Sequence, residues 1–218
     1  MKFNQNTMQI LRNFSSINKS IQFTEGNVLR TMHSNRTVLA KAVLEDTVDS
    51  DFAIYELSRL LGVVSMFEDP EFVAHENYLE IKANGRSVKY GFADPSTLNL
   101  PPNKDIAIDS YDVEFDLTHD DFSEVLKAVG VMGFGEVVVA GEDGKIVLRG
   151  TDVKNVGSDK YDVIVGETDK EFNAVFRVDN LRLMPLDYHV GISSRGLSHF
   201  KGDNLEYWVS IESNSNFG

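Results

Sequence analysis

Apolar residues recur along this chain in two rhythms, one near 3.6 residues and one of two, and each change of rhythm marks an element. Between Gln5 and Lys19, Ile10, Leu11, Phe14 and Ile17 share one helical face while Gln5, Arg12, Ser16 and Lys19 share the other. Ile21 to Met32 and Thr37 to Leu44 read as strands, and a second amphipathic helix follows with Ala53, Ile54, Leu57, Leu60, Leu61 and Val64 as its buried stripe. Arg59 sits near the centre of that helix's opposite face. Tyr78 to Lys82 and Ser87 to Phe92 flank Asn84 and Gly85, a pair that tolerates the positive φ of a tight hairpin.

Residues 93 to 108 carry Pro95, Pro101 and Pro102 among Ser, Thr and Asn, and read as a connector. The order of elements then starts again. Thr118, with Asp121 three residues later, predicts the start of a helix whose apolar positions are Phe122, Val125, Leu126 and Val129, with Lys127 facing away. Glu136 to Ala140 and Lys145 to Arg149 flank an Asp143 and Gly144 turn, and Tyr161 to Val165 and Phe172 to Val178 add strands. Asn180 to Met184 reads as a short helix stopped by Pro185, and Tyr188 to Ser193 and Tyr207 to Glu212 close the sheet. The pattern predicts a duplicated α+β architecture, two similar domains with helices on one side of antiparallel sheets, divided as residues 1–95, a connector at 96–108, and 109–218.

Composition narrows the function classes. With 42% hydrophobic and 25% charged residues the chain is an ordinary globular one. Apolar runs such as Leu60 to Val64 are far shorter than the roughly 18 residues of a membrane helix, and Met1 to Ile10 lacks the apolar stretch of a secretory signal, so a cytoplasmic protein without a membrane partner is expected. The absence of cysteine excludes disulfides, thiolate catalysis and cysteine-held metals. The net charge of −13 is unevenly spread, because residues 1–44 carry +5 and residues 45–218 carry −18. Such sorting suggests a cationic face for an anionic partner on a body that repels anions elsewhere.

The chain offers little for catalysis. Gly133 and Gly135 begin a dinucleotide-like pattern, but Val138 stands in place of the third glycine and a strand follows instead of a helix. No phosphate-cradling GxxxxGK[ST] segment occurs. Histidines 33, 75, 119, 189 and 199 lack the spacing that puts two ligands on one helix face. His119, Asp120 and Asp121 fit the first turn of the helix that Thr118 starts, where acids complement the helix dipole. Glu45 with Asp46, and Asp49 with Asp51, read as acids of a solvated connector. No metal, cofactor or catalytic residue is expected.

The basic polar faces remain. Arg12, Lys19, Arg59 and Lys127 stand on the non-core faces of three helices. Any one of them is also what an ordinary solvated helix surface carries. Together, and with few aromatics on offer for stacking, they suit sequence-independent contact with duplex phosphates rather than base readout.

Several stretches resemble the sliding clamps, the DNA polymerase processivity factors, of T-even-type bacteriophages. They are ILRNFSSIN at 10–18, AIYELSRLLGVVS at 53–65, ADPST at 93–97 with PNK at 102–104, GKIVLRG at 144–150, and FKGDNLEYWVSIES at 200–213. These segments occur in order over nearly the whole chain. The resemblance implies the DNA clamp fold, a head-to-tail homotrimeric ring, and six domains placing twelve helices around a hole that holds duplex DNA. Arg12, Lys19, Arg59, Lys127 and Arg182 would then line the hole.

A ring threaded on DNA is retained by topology, so each contact can be weak while a tethered replicative polymerase stays at high effective concentration. In the family a separate ATP-driven loader opens the ring. The resemblance places the seam between Ser87 to Phe92 of one subunit, with Val88 and Tyr90, and Tyr161 to Val165 of the next, with Tyr161 and Val163. Replication or transcription partners with short hydrophobic peptides would dock at Leu98, Leu100, Ile106, Trp208 and Ile211. Glu124 near Lys127, and Asp179 and Asp187 beside Arg182, should make the second domain less attractive to DNA than the first. The rival readings are a β-rich virion structural or assembly protein and, third, an enzyme.

Overall fold

Asn4 opens the first helix, α1 (Gln5–Ile17), by accepting a hydrogen bond from the Thr7 backbone N–H at 2.8 Å. The computed structural model describes residues 1–155 and 157–218 and separates the chain into two units, Met1–Lys104 and Asp105–Gly218. In the first unit α1 buries Ile10, Leu11, Phe14 and Ile17. Each of these apolar side chains contributes about 1.5–3 kcal/mol by leaving water. The opposite face leaves Gln5, Arg12 and Ser16 exposed, with exposed Lys19 just beyond the helix.

The chain continues through β1 (Ile21–Phe23), β2 (Gly26–Met32), β3 (Val38–Val48), β4 (Phe52–Ile54), α2 (Leu57–Val64), β5 (Glu71–Ala74), β6 (Tyr78–Ala83) and β7 (Arg86–Gly91). β1 pairs with β4, β2 with β3, and β5, β6 and β7 form an antiparallel meander. α1 packs on β2, β3 and α2.

Three expectations for this unit are corrected. Ile21 to Met32 is two strands, because the chain turns at Thr24 and Glu25 into Gly26 at φ +112°, a conformation glycine tolerates. The second helix starts at Leu57, and Ala53 and Ile54 lie in β4. There a run of three buried residues pairs with β1, which satisfies the backbone as a ladder instead of a helical turn. Glu45 and Asp46 lie within β3 and not in a connector. Asp46 accepts from the Asn4 N–H at 2.7 Å and Glu45 from the Asn4 side chain at 2.8 Å, tying the start of α1 to the strand.

The second unit holds β8 (Val113–Leu117), α3 (His119–Met132), β9 (Glu136–Glu142), β10 (Lys145–Thr151), β11 (Lys160–Glu167), β12 (Phe172–Arg177), β13 (Tyr188–Ser193), β14 (Leu197–Lys201), β15 (Leu205–Ser210) and β16 (Asn216–Phe217). One antiparallel sheet runs β11-β10-β9-β12-β16, and β15, β14, β13 and β8 run side by side in another. α3 is capped by Thr118, which accepts from the Asp121 N–H at 3.1 Å, and ends at Gly133 with φ +72°. It buries Phe122, Val125 and Val129 against β9, β10 and β11. Gly150 permits that approach, since a Cβ there would lie 2.6 Å from the Val129 side chain.

The helix read over Asn180 to Met184 is absent from the described residues. A single 3-10 turn at Val178–Asn180 stands there, followed by irregular chain in which Tyr207 Oη accepts from the Met184 N–H at 3.1 Å and Tyr188 donates to the Met184 carbonyl at 2.7 Å. Two buried tyrosines take over the hydrogen bonding that another helical turn would have supplied. Three α-helices are present among the described residues, one fewer than the four that the sequence pattern predicts.

Candidate nucleic-acid interface

Lys19 is held where α1 ends. Its Nζ donates to Tyr55 Oη at 2.9 Å and lies 4.5 Å from the centroid of the Tyr55 ring. The Lys19 carbonyl also accepts from the Leu57 N–H at 2.7 Å, so the residue joins the end of α1 to the start of α2. The hydrogen bond to Tyr55, and then the phenol's charge, raise the ammonium's pKa. Lys19 therefore stays cationic, and its direction is fixed by a half-exposed ring. Arg12 on α1 and Arg59 on α2 are exposed. Arg12 and Arg59 lie on the polar sides of two helices that pack together, with Lys19 just beyond the end of the first. A surface of this kind meets a phosphate backbone through charge without reading bases.

Lys127 is exposed on α3, and Glu124 on the same helix accepts from the Tyr161 hydroxyl at 3.3 Å. Arg182 lies on irregular chain and pairs with Asp179 at 2.9 Å. Asp187 is turned to another use, accepting from the His119 N–H at 2.7 Å at the start of α3. The second unit's cations are thus interleaved with acids, and Arg182 is not on a helix face.

The residues expected at the seam lie on strands that end their sheets among the described residues. Val88 and Tyr90 are half-buried on β7, and Tyr90 donates to the Glu56 carbonyl at 3.1 Å. Tyr161 is exposed and Val163 half-buried on β11. β11 is held to β10 by Arg149, whose guanidinium donates to Asp162 at 2.7 Å through both Nε and Nη2, and also to both oxygens of Glu142. That pairing holds the Glu142 carboxyl below its ordinary pKa and raises that of Arg149.

Of the residues expected to receive partner peptides, Leu98 lines a hollow of about 330 Å³ with Ile17, Lys19, Ser34 and Tyr55. Leu100 is half-buried in the same unit. Ile106 and Ile211 are half-buried in the second unit, where Trp208 is only 3% exposed and stacks on His199 at 4.8 Å. As described, Trp208 is a packing residue.

Tyr55 and Arg149 are site contacts that the sequence pattern does not single out. Arg149 left a signal, a lone cation in the otherwise apolar run IVLRG at 146–150. Tyr55 left none, since its pairing with Lys19 depends on how two helices meet. Among the described residues no group of three or more His, Asp or Glu side chains is arranged to hold a metal ion, and no helix is long and apolar enough to cross a membrane.

Comparison with known proteins places both halves of this chain in one family. Residues 2–95 match the family model described as DNA polymerase processivity factor, and residues 114–213 match the one described as gp45 sliding clamp, C terminal. The sliding clamp of Vibrio phage KVP40 is 30% identical, over 97% of this chain and 99% of that protein. The sliding clamp of Enterobacteria phage T4 is 28% identical, over 99% and 98%. Among solved structures, PCNA of A. fulgidus bound to the C-terminal region of FEN-1 superposes with a TM-score of 0.70 at 12% identity, covering 96% of each chain. The Helicobacter pylori beta clamp bound to a DNA ligase peptide superposes at 0.74 and 13% identity, over 97% of this chain and 65% of that one. These likenesses show the clamp fold, and the matches give no support to a virion structural role. With both halves matched in order and a phage clamp aligned over nearly its whole length, the chain belongs to the sliding-clamp family of T4-like phages, the DNA polymerase processivity factors.

Proposed function

We propose that this processivity factor works as a closed homotrimeric ring that encircles duplex DNA and tethers the replicative polymerase to it. The observation that carries the reading is the match to the KVP40 clamp over 97% of the chain. Two features support it independently: sheet edges at β7 and β11, one in each unit, and the cations of α1 and α2. Head-to-tail pairing of β7 with β11 would continue the sheets from copy to copy until the ring closes. Residues 1–95 and 109–218 would be its repeating domains, with 96–108 as connector.

In this reading Arg12, Lys19 and Arg59, with Lys127 and Arg182 contributing less, face the duplex. Their contacts are with phosphates, so they carry no sequence information and allow sliding. The remaining, acidic surface discourages DNA from binding outside the ring. Retention is topological and the protein performs no chemistry, so a separate ATP-driven loader must open it. Leu98 and Leu100 are among the residues we assign to hydrophobic peptides of the polymerase and other partners. The site of action is the replisome in the host cytoplasm.

Mass in dilute solution tests the assembly. Three copies of the 24.4 kDa chain give about 73 kDa. A particle near that mass is expected at micromolar concentration, and a monomer there would contradict the ring.

A further inference from the structure

Exposed apolar side chains gather at α3 and β11 of the second unit, on both faces of that outermost strand. Among the described residues seven large hydrophobic side chains are exposed, and four of them, Val131, Met132, Tyr161 and Ile164, belong to α3 and β11. Val131 is 82% exposed and lies with Tyr161 on the α3 side of the sheet, whereas Ile164, 65% exposed, stands on the other face of β11. Val131 follows Glu124 by seven residues, two helical turns, so the two share a face of α3. The docking surface therefore extends from the strand edge onto the helix beside it, and it bears an acid where Glu124 meets Tyr161.

The first unit's edge has the opposite sign. β7 carries Arg86 and Lys89 and no acid, and beside it Arg59 of α2 lines a hollow of about 270 Å³ with Tyr55, Glu56, Lys89, Tyr90 and Phe92. Tyr90 fixes the near end of β7 to α2 through the Glu56 carbonyl at 3.1 Å. Each edge therefore has a tyrosine beside a charge, Tyr90 with Arg59 and Tyr161 with Glu124. Burial raises the Tyr90 pKa with the Arg59 charge opposing, and the Glu124 charge raises that of Tyr161.

Antiparallel pairing of the two strands sets the end of β7, at Tyr90, against the start of β11, at Tyr161. We infer that a second copy of this chain docks on the α3 and β11 surface with its Arg59 paired to Glu124, so that α2 and α3 clasp the seam beside the strands. The inference rests on the ring reading and deepens it. The clasp withdraws Arg59 from the duplex-facing set proposed above and leaves Arg12 and Lys19 there. The neighbouring Glu56 and Lys160, which carry the opposing signs on each side, limit the clasp to this one pair. An ion pair at the rim of an interface sets register and specificity, and salt weakens it.

The test is the concentration at which the assembly dissociates, followed by sedimentation for wild type, Arg59→Glu, Glu124→Arg and the double variant, with circular dichroism confirming the fold of each. Either single charge reversal should raise the dissociation midpoint by about tenfold or more, and the double variant should return most of that loss. Arg59→Gln and Glu124→Gln, which introduce no repulsion, should shift it less and in the same direction. A trimeric wild type whose single variants dissociate at its own midpoint, or whose double variant is no better than the two losses combined, would overturn the clasp and leave the ring standing. A monomeric wild type would remove the ring reading and the clasp with it. Arg59→Glu that keeps the assembly intact and loses only retention on DNA would return Arg59 to the inner face and overturn the clasp.

Discussion

Arg149 on β10 holds Asp162 on β11 through two hydrogen bonds of 2.7 Å, one to each carboxylate oxygen. The guanidinium side chain is 10% exposed and also binds Glu142, so one cation ties the outermost strand of its sheet to the strands inside it. Bidentate geometry makes this a directional tie that lysine could not reproduce.

Arg149→Leu should therefore cost about 1–3 kcal/mol of stability, less than a fully buried network would because both carboxylates are 40% exposed. Urea unfolding monitors the loss, and Arg149→Lys should recover only part of it. Since β11 is the proposed seam, the variant should also dissociate at higher protein concentration than wild type. A variant as stable as wild type would contradict the tie.

Arg12→Glu and Lys19→Glu should weaken loading onto duplex without unfolding the subunit, because both side chains are exposed. Each lost phosphate contact should reduce the slope of log affinity against log salt by about 0.9. Tyr55→Leu should act like a weaker Lys19 variant, since it frees the ammonium from its fixed direction. Unchanged loading and an unchanged salt slope in all three would contradict the assignment of this face.

Two histidines should give opposite responses to pH. Hydrogen bonds that His189 donates to Asp116, 2.8 Å away, and Glu114, 3.1 Å away, raise its pKa. Its stabilisation is present in full below the ordinary value of 6.5 and is lost as pH rises through the raised one. Burial lowers the His199 pKa, with Glu206 opposing. A neutral ring already satisfies both nitrogens, through Tyr111 at 2.8 Å and Glu206 at 2.9 Å. His199 therefore costs nothing above 6.5 and destabilises the fold as pH falls toward and through its depressed value. Between pH 7.5 and 5, His199→Gln should lose less stability than wild type and His189→Gln more. Parallel curves for all three proteins would contradict both assignments.

Gly191 lies under the Tyr111 ring, and a Cβ there would come within 2.6 Å of its carbons. Gly191→Ala should displace Tyr111, break its bond to His199 and cost about 1–3 kcal/mol. Thermal unfolding should register the loss, and an unchanged midpoint would show that the ring moves freely.

The sequence disclosed most where local chemistry was decisive. The Thr118 cap, the Asn84 and Gly85 turn and the buried stripe of α1 are complete in their own residues, and each stands in the structure where the pattern puts it. Periodicity failed at Ala53 and Ile54, where a short apolar run fits a strand as well as a helix and the choice depends on Ile21–Phe23 being there to pair. It failed again after Asn180, where Tyr188 and Tyr207, distant in sequence, supply the backbone partners. β8 and β14 are not evident from periodicity although both alternate in burial, Val113, Phe115 and Leu117 on one strand and Ser198 and Phe200 on the other. Their charged or histidine-bearing outer faces masked the pattern. At the site, exposed cations could be placed on faces, but the Tyr55 bond to Lys19 and the Tyr161 bond to Glu124 are tertiary and left no mark in spacing.

Encirclement is tested most directly by the lifetime of loaded protein on closed circular duplex compared with the same duplex made linear, with loader and ATP present at loading and then removed. A closed ring should remain on the circle far longer than on the linear form, from whose ends it can slide away. Equal and short lifetimes on the two would contradict topological retention.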